Sequence, residues 1–355
     1  MLVSLTLFAA RSATRAGARR SGQPAPTGRS GGFGKGWILA AALALLVAVP
    51  AAAPAASPVD AVLGLRAEVP RDARTASSLG QVRQGSAVLI DDAGLALTIG
   101  YLVLEASAVT LFDADGRTIP ADVVAYDHET GFGLVRALVP LEVAPLPLAA
   151  EIETGPGEPL LVVSRAGPLE GTAVTLADRR VFAGYWEYLL DEALFTTPGH
   201  RQFGGAALID PTGRLLGIGS LRVGDASGDG RPSPGNMFVP VDLLPPILGE
   251  MLASGHAGRA KPWLGITSRE SPEGVVLGGV SNGGPADRAG LRPGDRVVAV
   301  GDAPVGNLET LYRSVWELGD PGVVVPLKVE RGERMLDIEI RSIDRRQWLR
   351  LDPTF

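Results

Sequence analysis

The chain has 355 residues, with no cysteine and three histidines, His128, His200 and His256, which excludes disulfide scaffolds, thiol catalysis and cysteine–zinc sites and leaves little for a histidine metal cluster. Its 46 glycines and 28 prolines fall short of a low-complexity composition, and 46% hydrophobic residues over this length suit about two packed domains. The net charge is −6, but residues 1–55 hold six basic residues and no acid, so the rest carries 27 basic against 39 acidic residues, and an acidic body has no electrostatic footprint for nucleic acid.

The basic stretch (Arg11, Arg15, Arg19, Arg20, Arg29, Lys35) runs into the apolar segment Trp37–Val49 and then into small residues that include Ala53-Pro54-Ala55. This is the layout of a secretory signal. Read on to Ala56, the segment reaches the length of a spanning helix, though Pro50 and Pro54 interrupt it. Residues 1–55 are therefore expected to be a cleaved signal peptide or a membrane anchor, and either puts the body outside the cytoplasm. Only three of the 33 basic residues are lysine, a bias that points to a GC-rich bacterial genome. Residues 56–80 read as a linker.

From Val82 onward, short apolar runs alternate with turn signals. SAVLIDD, LALTIG, AVTLFDADGR, ADVVAYD, GLVRAL, PLLVVS, TAVTL, AALIDPTGRLLGIGSL and NMFVPV all predict strands, so residues 81–254 are expected to form an all-β barrel or sandwich. A short helix is expected within 242–253, after Pro245-Pro246. Residues 255–262 read as a second linker. Residues 263–345 form a further unit, with a helix near Leu308–Leu318.

Lys261-Pro-Trp-Leu-Gly-Ile266 and GVVLGGVSNGGPADRAGLRPGDRVVAVGDAPV (274–305) resemble the carboxylate-binding loop and core of bacterial PDZ domains, and VVVPLKVERGERMLDIEI (323–340) resembles their closing hairpin. Consecutive backbone N–H groups in such a loop hold a terminal carboxylate, and the peptide adds as a strand to an open edge. The resemblance implies a peptide site built from Trp263, Leu264, Gly265, Ile266, Leu311, Val315 and Leu318. The last three share one helix face by their i, i+4, i+7 spacing, a stripe that core packing alone would also explain.

GSAVLIDDAGLALT (85–98), VTLFDADGRTIPADVVAYDHETGFGLVRA (109–137) and FGGAALIDPTGRLLGI (203–218) resemble, in order, the segments of the trypsin-like domain of HtrA/Deg proteases, which precedes a PDZ domain in that family. The resemblance implies a mainly β fold: a trypsin-like double β-barrel followed by an α+β PDZ domain. It also places Tyr101 where the family has its histidine base, Gly131 where it has its aspartate, and Phe203 where it has its nucleophilic serine. No serine lies between Ser164 and Ser220. The turn PGHRQFGG (198–205) is two residues longer than the family's, which puts the oxyanion hole in doubt. His128 and His256 read as exposed loop histidines; His200 with Thr196 or Thr197 is the one conceivable substitute site.

The expectation is an exported pseudoprotease of the periplasm or cell envelope that binds peptides or protein C-termini, with no metal, cofactor or nucleic-acid partner. It would self-assemble or join an active paralogue, in envelope protein quality control or as a scaffold. The alternative is an active HtrA-type serine endopeptidase whose catalytic residues lie elsewhere.

Overall fold

The computed structural model describes residues 57–351; residues 1–55, expected to be a signal peptide or anchor, lie outside them. Among the described residues no helix is long and apolar enough to cross a membrane.

Six strands, β1 (Val62–Glu68), β2 (Val82–Leu89), β3 (Leu95–Ile99), β4 (Ala108–Phe112), β5 (Thr118–Tyr126) and β6 (Phe132–Ala137), close into a barrel of order β1-β2-β3-β6-β5-β4. A short helix α1 (Ala76–Leu79) lies between β1 and β2. The next six, β7 (Pro159–Ser164), β8 (Glu170–Gly184), β9 (Tyr188–Thr197), β10 (Ala207–Ile209), β11 (Leu215–Val223) and β12 (Gly235–Pro240), close into a second barrel of order β10-β11-β12-β9-β8-β7. Counted from each barrel's own first strand, the two orders are the same, a repeat of topology that the sequence does not reveal.

Alternation does the patterning: β5 buries Ile119 and Ala121 between outward-facing Thr118, Pro120 and Asp122. The Asp…Gly turns work as their residue types require. Asp210 Oδ1 accepts the N–H groups of Thr212 and Arg214, both at 2.9 Å, and Gly213 completes that turn at φ +84°.

Two expectations need correction. Residues 56–80 are not a linker: β1 lies within them, pairs with both β2 and β4, and so closes the first barrel. The Pro- and Ala-rich lead-in masked a strand whose Val62, Leu63 and Leu65 are buried. The helix after the barrels, α2 (Pro245–Ser254), starts at the two prolines rather than after them, because proline in a first turn forfeits no intrahelical hydrogen bond.

The third unit is a sheet of order β13-β14-β15-β17-β18, built from β13 (Ile266–Ser271), β14 (Gly274–Val280), β15 (Arg296–Val300), β17 (Val324–Arg331) and β18 (Arg334–Arg341), with β16 (Ala303–Pro304) paired to β15. Helices α3 (Pro285–Arg288) and α4 (Leu308–Glu317) complete it, and α5 (Arg345–Trp348) follows β18. Asn307 caps α4 by accepting the Thr310 N–H at 2.8 Å, in a reciprocal capping box. The buried Asp295 of the Gly-Asp turn is gripped by Arg331 at 2.6 Å. The barrels and this sheet belong to one compact unit.

The barrels meet where Gly205 sits at φ +72°, and a β-carbon there would lie 1.9 Å from the Ser86 carbonyl oxygen. Gly205→Ala is expected to cost about 3 kcal/mol or more, since both the backbone conformation and the space forbid it; chemical denaturation of the two proteins measures the difference.

Candidate functional site

The positions that the resemblance assigned to a catalytic triad do come together. Tyr101 sits in a short 3-10 turn (Gly100–Leu102) directly after β3. The buried Arg83 fixes this turn by donating to the carbonyls of Tyr101 and Leu104, each at 2.7 Å. Gly100 N–H donates to the Gly131 carbonyl at 2.7 Å, and a β-carbon on Gly204 would lie 2.9 Å from the Tyr101 hydroxyl. Tyr101, Gly131 and the Phe203-Gly204 step are thus neighbours, and Tyr101, Phe203 and Gly204 line one open groove of about 550 Å³.

Tyrosine, glycine and phenylalanine fill these positions. The Tyr101 hydroxyl donates to the Ser220 carbonyl at 3.0 Å, and burial pushes its pKa up, so it stays a protonated donor. Beside Gly131 lies another hydroxyl: a β-carbon on Gly131 would stand 3.0 Å from Tyr188 Oη, which itself donates to the Thr130 carbonyl at 2.6 Å. The space where an aspartate side chain would start is therefore taken by a tyrosine from β9.

His200 does not form the conceivable substitute site with Thr196 or Thr197. Thr196 is fully buried, and the Thr197 hydroxyl donates to the Pro234 carbonyl. The long turn folds His200 inward, where Nε2 lies 2.7 Å from Ser164 Oγ and Nδ1 lies 2.8 Å from Thr172 Oγ1. Asn236 pins the turn by accepting the His200 N–H at 2.6 Å. Burial lowers the His200 pKa, with Glu170 pulling the other way.

The second assembly of polar groups lies at the PDZ-like loop. The N–H groups of Leu264, Gly265 and Ile266 converge on one carboxylate, that of Glu187, at 2.8, 2.8 and 2.9 Å. Glu187 belongs to the turn between β8 and β9 of the second barrel. Leu264, Ile266, Leu311 and Val315 are buried in the apolar cluster of the third unit. Leu318 is not: it stands 40% exposed, because it follows the last turn of α4 and the chain turns away at Gly319. Trp263 packs against Trp348 at 5.7 Å between ring centroids.

Sequence reasoning missed Glu187 and Tyr312. The one available signal was a single acidic residue inside the aromatic run Phe182–Tyr188. His128 and His256 are not exposed loop residues either: both are part-buried and, with Glu187, Tyr126, Lys261, Trp316 and Arg345, line a cavity of about 60 Å³. Arg345 lies 2.7 Å from His128 Nδ1, and burial together with Arg345 holds the His128 pKa well below its usual value. Among the described residues, no group of three or more His, Asp or Glu side chains is placed to hold a metal.

Two family models match the chain: a trypsin-like peptidase domain over residues 85–218 and a PDZ domain over residues 262–341. HhoA of Synechocystis sp. is 28% identical over 310 residues, spanning 77% of this chain and 72% of its own. The serine endoprotease DegS of Escherichia coli K12 is 27% identical over 276 residues, spanning 72% and 75%. The fold is shared with a solved HtrA-type protease bound to a tripeptide, with a TM-score of 0.50 and 20% identity over 83% of this chain and 96% of that one. Barrels, loop and matches together define a trypsin-like peptidase fold joined to a PDZ domain. The chain belongs to the HtrA/Deg family.

Burial pushes the Glu187 carboxyl up from 4.5 to about 7, against the three N–H donors and Arg345, which pull it down. A carboxyl raised on folding contributes stability that is complete below its unfolded value and is lost as pH rises through about 7. Glu187→Gln removes that dependence. The difference in Tm between wild type and E187Q is expected to move against the wild type as pH rises across this window, as thermal scans at a series of pH values would read.

Proposed function

We propose that this chain is a pseudoprotease whose working part is its PDZ domain, and that it binds peptides or protein C-termini in the bacterial cell envelope. The observation that carries the reading is Phe203, which puts a phenyl ring beside Gly204-Gly205 where acyl transfer needs a nucleophilic oxygen. The neighbouring Tyr101 hydroxyl is a hydrogen-bonded donor rather than a base, and Gly131 carries no carboxylate. Loss of even one triad member costs about 10⁴-fold or more, and here all three positions differ.

Binding is supported by the PDZ unit. The loop Leu264–Ile266 presents three N–H groups to a carboxylate, and the adjoining β13 is an edge strand to which a peptide adds. Placement in the envelope is supported by the basic, acid-free leader with its apolar run and by relatives such as a DegP-like periplasmic serine endoprotease of Rhizobium meliloti, 24% identical over 274 residues. A chain without acyl-transfer chemistry would act there by holding client C-termini, alone or assembled with further copies or an active paralogue, in protein quality control or as a scaffold.

An active endopeptidase is the second reading, and one observation favours it: Ser164 Oγ and His200 Nε2 are 2.7 Å apart, the spacing of a nucleophile and its base. Against it, Ser164 is fully buried and His200 is 2% exposed, so no scissile carbonyl reaches the pair.

Wild-type protein is expected to leave casein intact and to take up no fluorophosphonate probe; labelling at Ser164 or any other serine, located by peptide mass mapping, would establish the second reading. Phe203→Ser alone is expected to remain at background hydrolysis, because position 101 still offers no imidazole.

A further inference from the structure

The carboxylate held by the PDZ loop is not a chain terminus but the side chain of Glu187. The rest of the β8–β9 turn follows it into the groove. Ser268 on β13 donates its N–H to the Tyr185 carbonyl at 2.8 Å. Tyr185 is two residues before Glu187, and Ser268 is two residues after Ile266, so turn and strand keep the two-residue step of a β-pair while the carboxylate rests on the loop. From α4, the Tyr312 hydroxyl donates to the Gly184 carbonyl at 2.7 Å and accepts the Glu187 N–H at 3.3 Å. Ala183 and Leu189 pack against the apolar cluster of the PDZ domain.

Glu187 itself has φ +60°, a left-handed conformation rare for a side-chain-bearing residue. That conformation puts the carboxyl of an internal residue where a terminal one would sit, and the surrounding donors hold it there.

We infer that the turn Gly184–Glu187 is an internal ligand of the PDZ groove, and that a protein C-terminus enters only by displacing Glu187 and releasing the second barrel's hold on the PDZ domain. The inference rests on the reading that this groove takes carboxyl termini. The occupant also states the chemistry of the displacing partner: an extended segment with a free terminal carboxylate, whose carbonyl two residues back pairs with Ser268.

The test uses the full chain and a fluorescein-labelled hexapeptide, FAGYWV, which copies residues 182–186 and ends in a free carboxylate, alongside the same peptide as its terminal amide. By fluorescence polarisation, Glu187→Ala is expected to bind the free-carboxylate peptide about tenfold or more tightly than wild type, because the competing closed state loses its carboxylate, and to leave the amide unbound. Glu187→Gln keeps the size of the side chain and guards against misfolding of the alanine variant. It is expected to change affinity in the same direction, with an unchanged near-ultraviolet circular dichroism spectrum confirming the fold. Equal affinity of wild type and both variants for the free-carboxylate peptide would overturn the internal ligand while leaving peptide capture standing. Equal binding of acid and amide by the variants would overturn the carboxylate exchange. Binding by none of the three proteins would overturn peptide capture and the internal ligand with it.

Discussion

Three consecutive backbone N–H groups, those of Leu264, Gly265 and Ile266, meet one buried carboxylate, and the arrangement of the molecule depends on that meeting. Buried N–H groups left without acceptors, and a buried carboxylate left without donors, would each be costly. Each group supplies what the other lacks, so the contact fixes the turn of the second barrel against the PDZ domain. Surface ion pairs do not compete with it in importance. Arg259–Asp320, for example, joins side chains that are 85% and 64% exposed, and such pairs contribute little.

The same docking draws in the first barrel. After β18 the chain passes through α5, where Trp348 lies under the Arg74 guanidinium at 4.0 Å. It then gives the Arg350 N–H to Glu105 at 2.7 Å. Glu105 also accepts from the N–H groups of Arg74 and Thr75 and from the Thr75 hydroxyl. These bonds outweigh burial and hold its pKa below the usual carboxylate value. The turn that docks the PDZ domain also reaches the first barrel near Tyr101: Tyr188, next to Glu187, fills the space beside Gly131. Glycine at 131 and tyrosine at 188 therefore make one arrangement, because a side chain at 131 would collide with the residue that continues the docking turn into β9.

Local pattern made most of the fold legible. Strand-and-turn signals marked the barrel strands that carry plain apolar runs, and the Leu-Gly-Ile loop and the Gly-Asp turn marked the PDZ unit. β1 was obscured because the small-residue and proline lead-in merges with it, although its pairing partners lie 14 or more residues away. The long β8–β9 hairpin was obscured because Arg179, Arg180, Asp191 and Glu192 break its apolar alternation. The neighbours of Tyr101 and Gly131 could be ordered by motif, but the role of Glu187 could not. Its donors lie 77 to 79 residues further along the chain, and nothing local to Tyr185-Trp186-Glu187 says where a carboxylate goes. The histidines misled for the same reason: His128 looks like a loop residue until Arg345, 217 positions away, closes over it.

An internal ligand sets a threshold for any external one. Tethered by the barrel, Glu187 competes at an effective concentration on the order of millimolar or above, so a terminus that merely repeats its contacts would rarely displace it. A true C-terminus brings more: a carboxylate reached without a left-handed residue. A ligand shifts a two-state equilibrium only by its difference in affinity for the two states. Here that difference is confined to the loop and groove that Glu187 vacates, so occupancy of the groove and release of the β8–β9 turn are two descriptions of one event. The barrel therefore need not catalyse anything to matter: by holding Glu187 in the groove, it sets how tightly a terminus must bind to be captured.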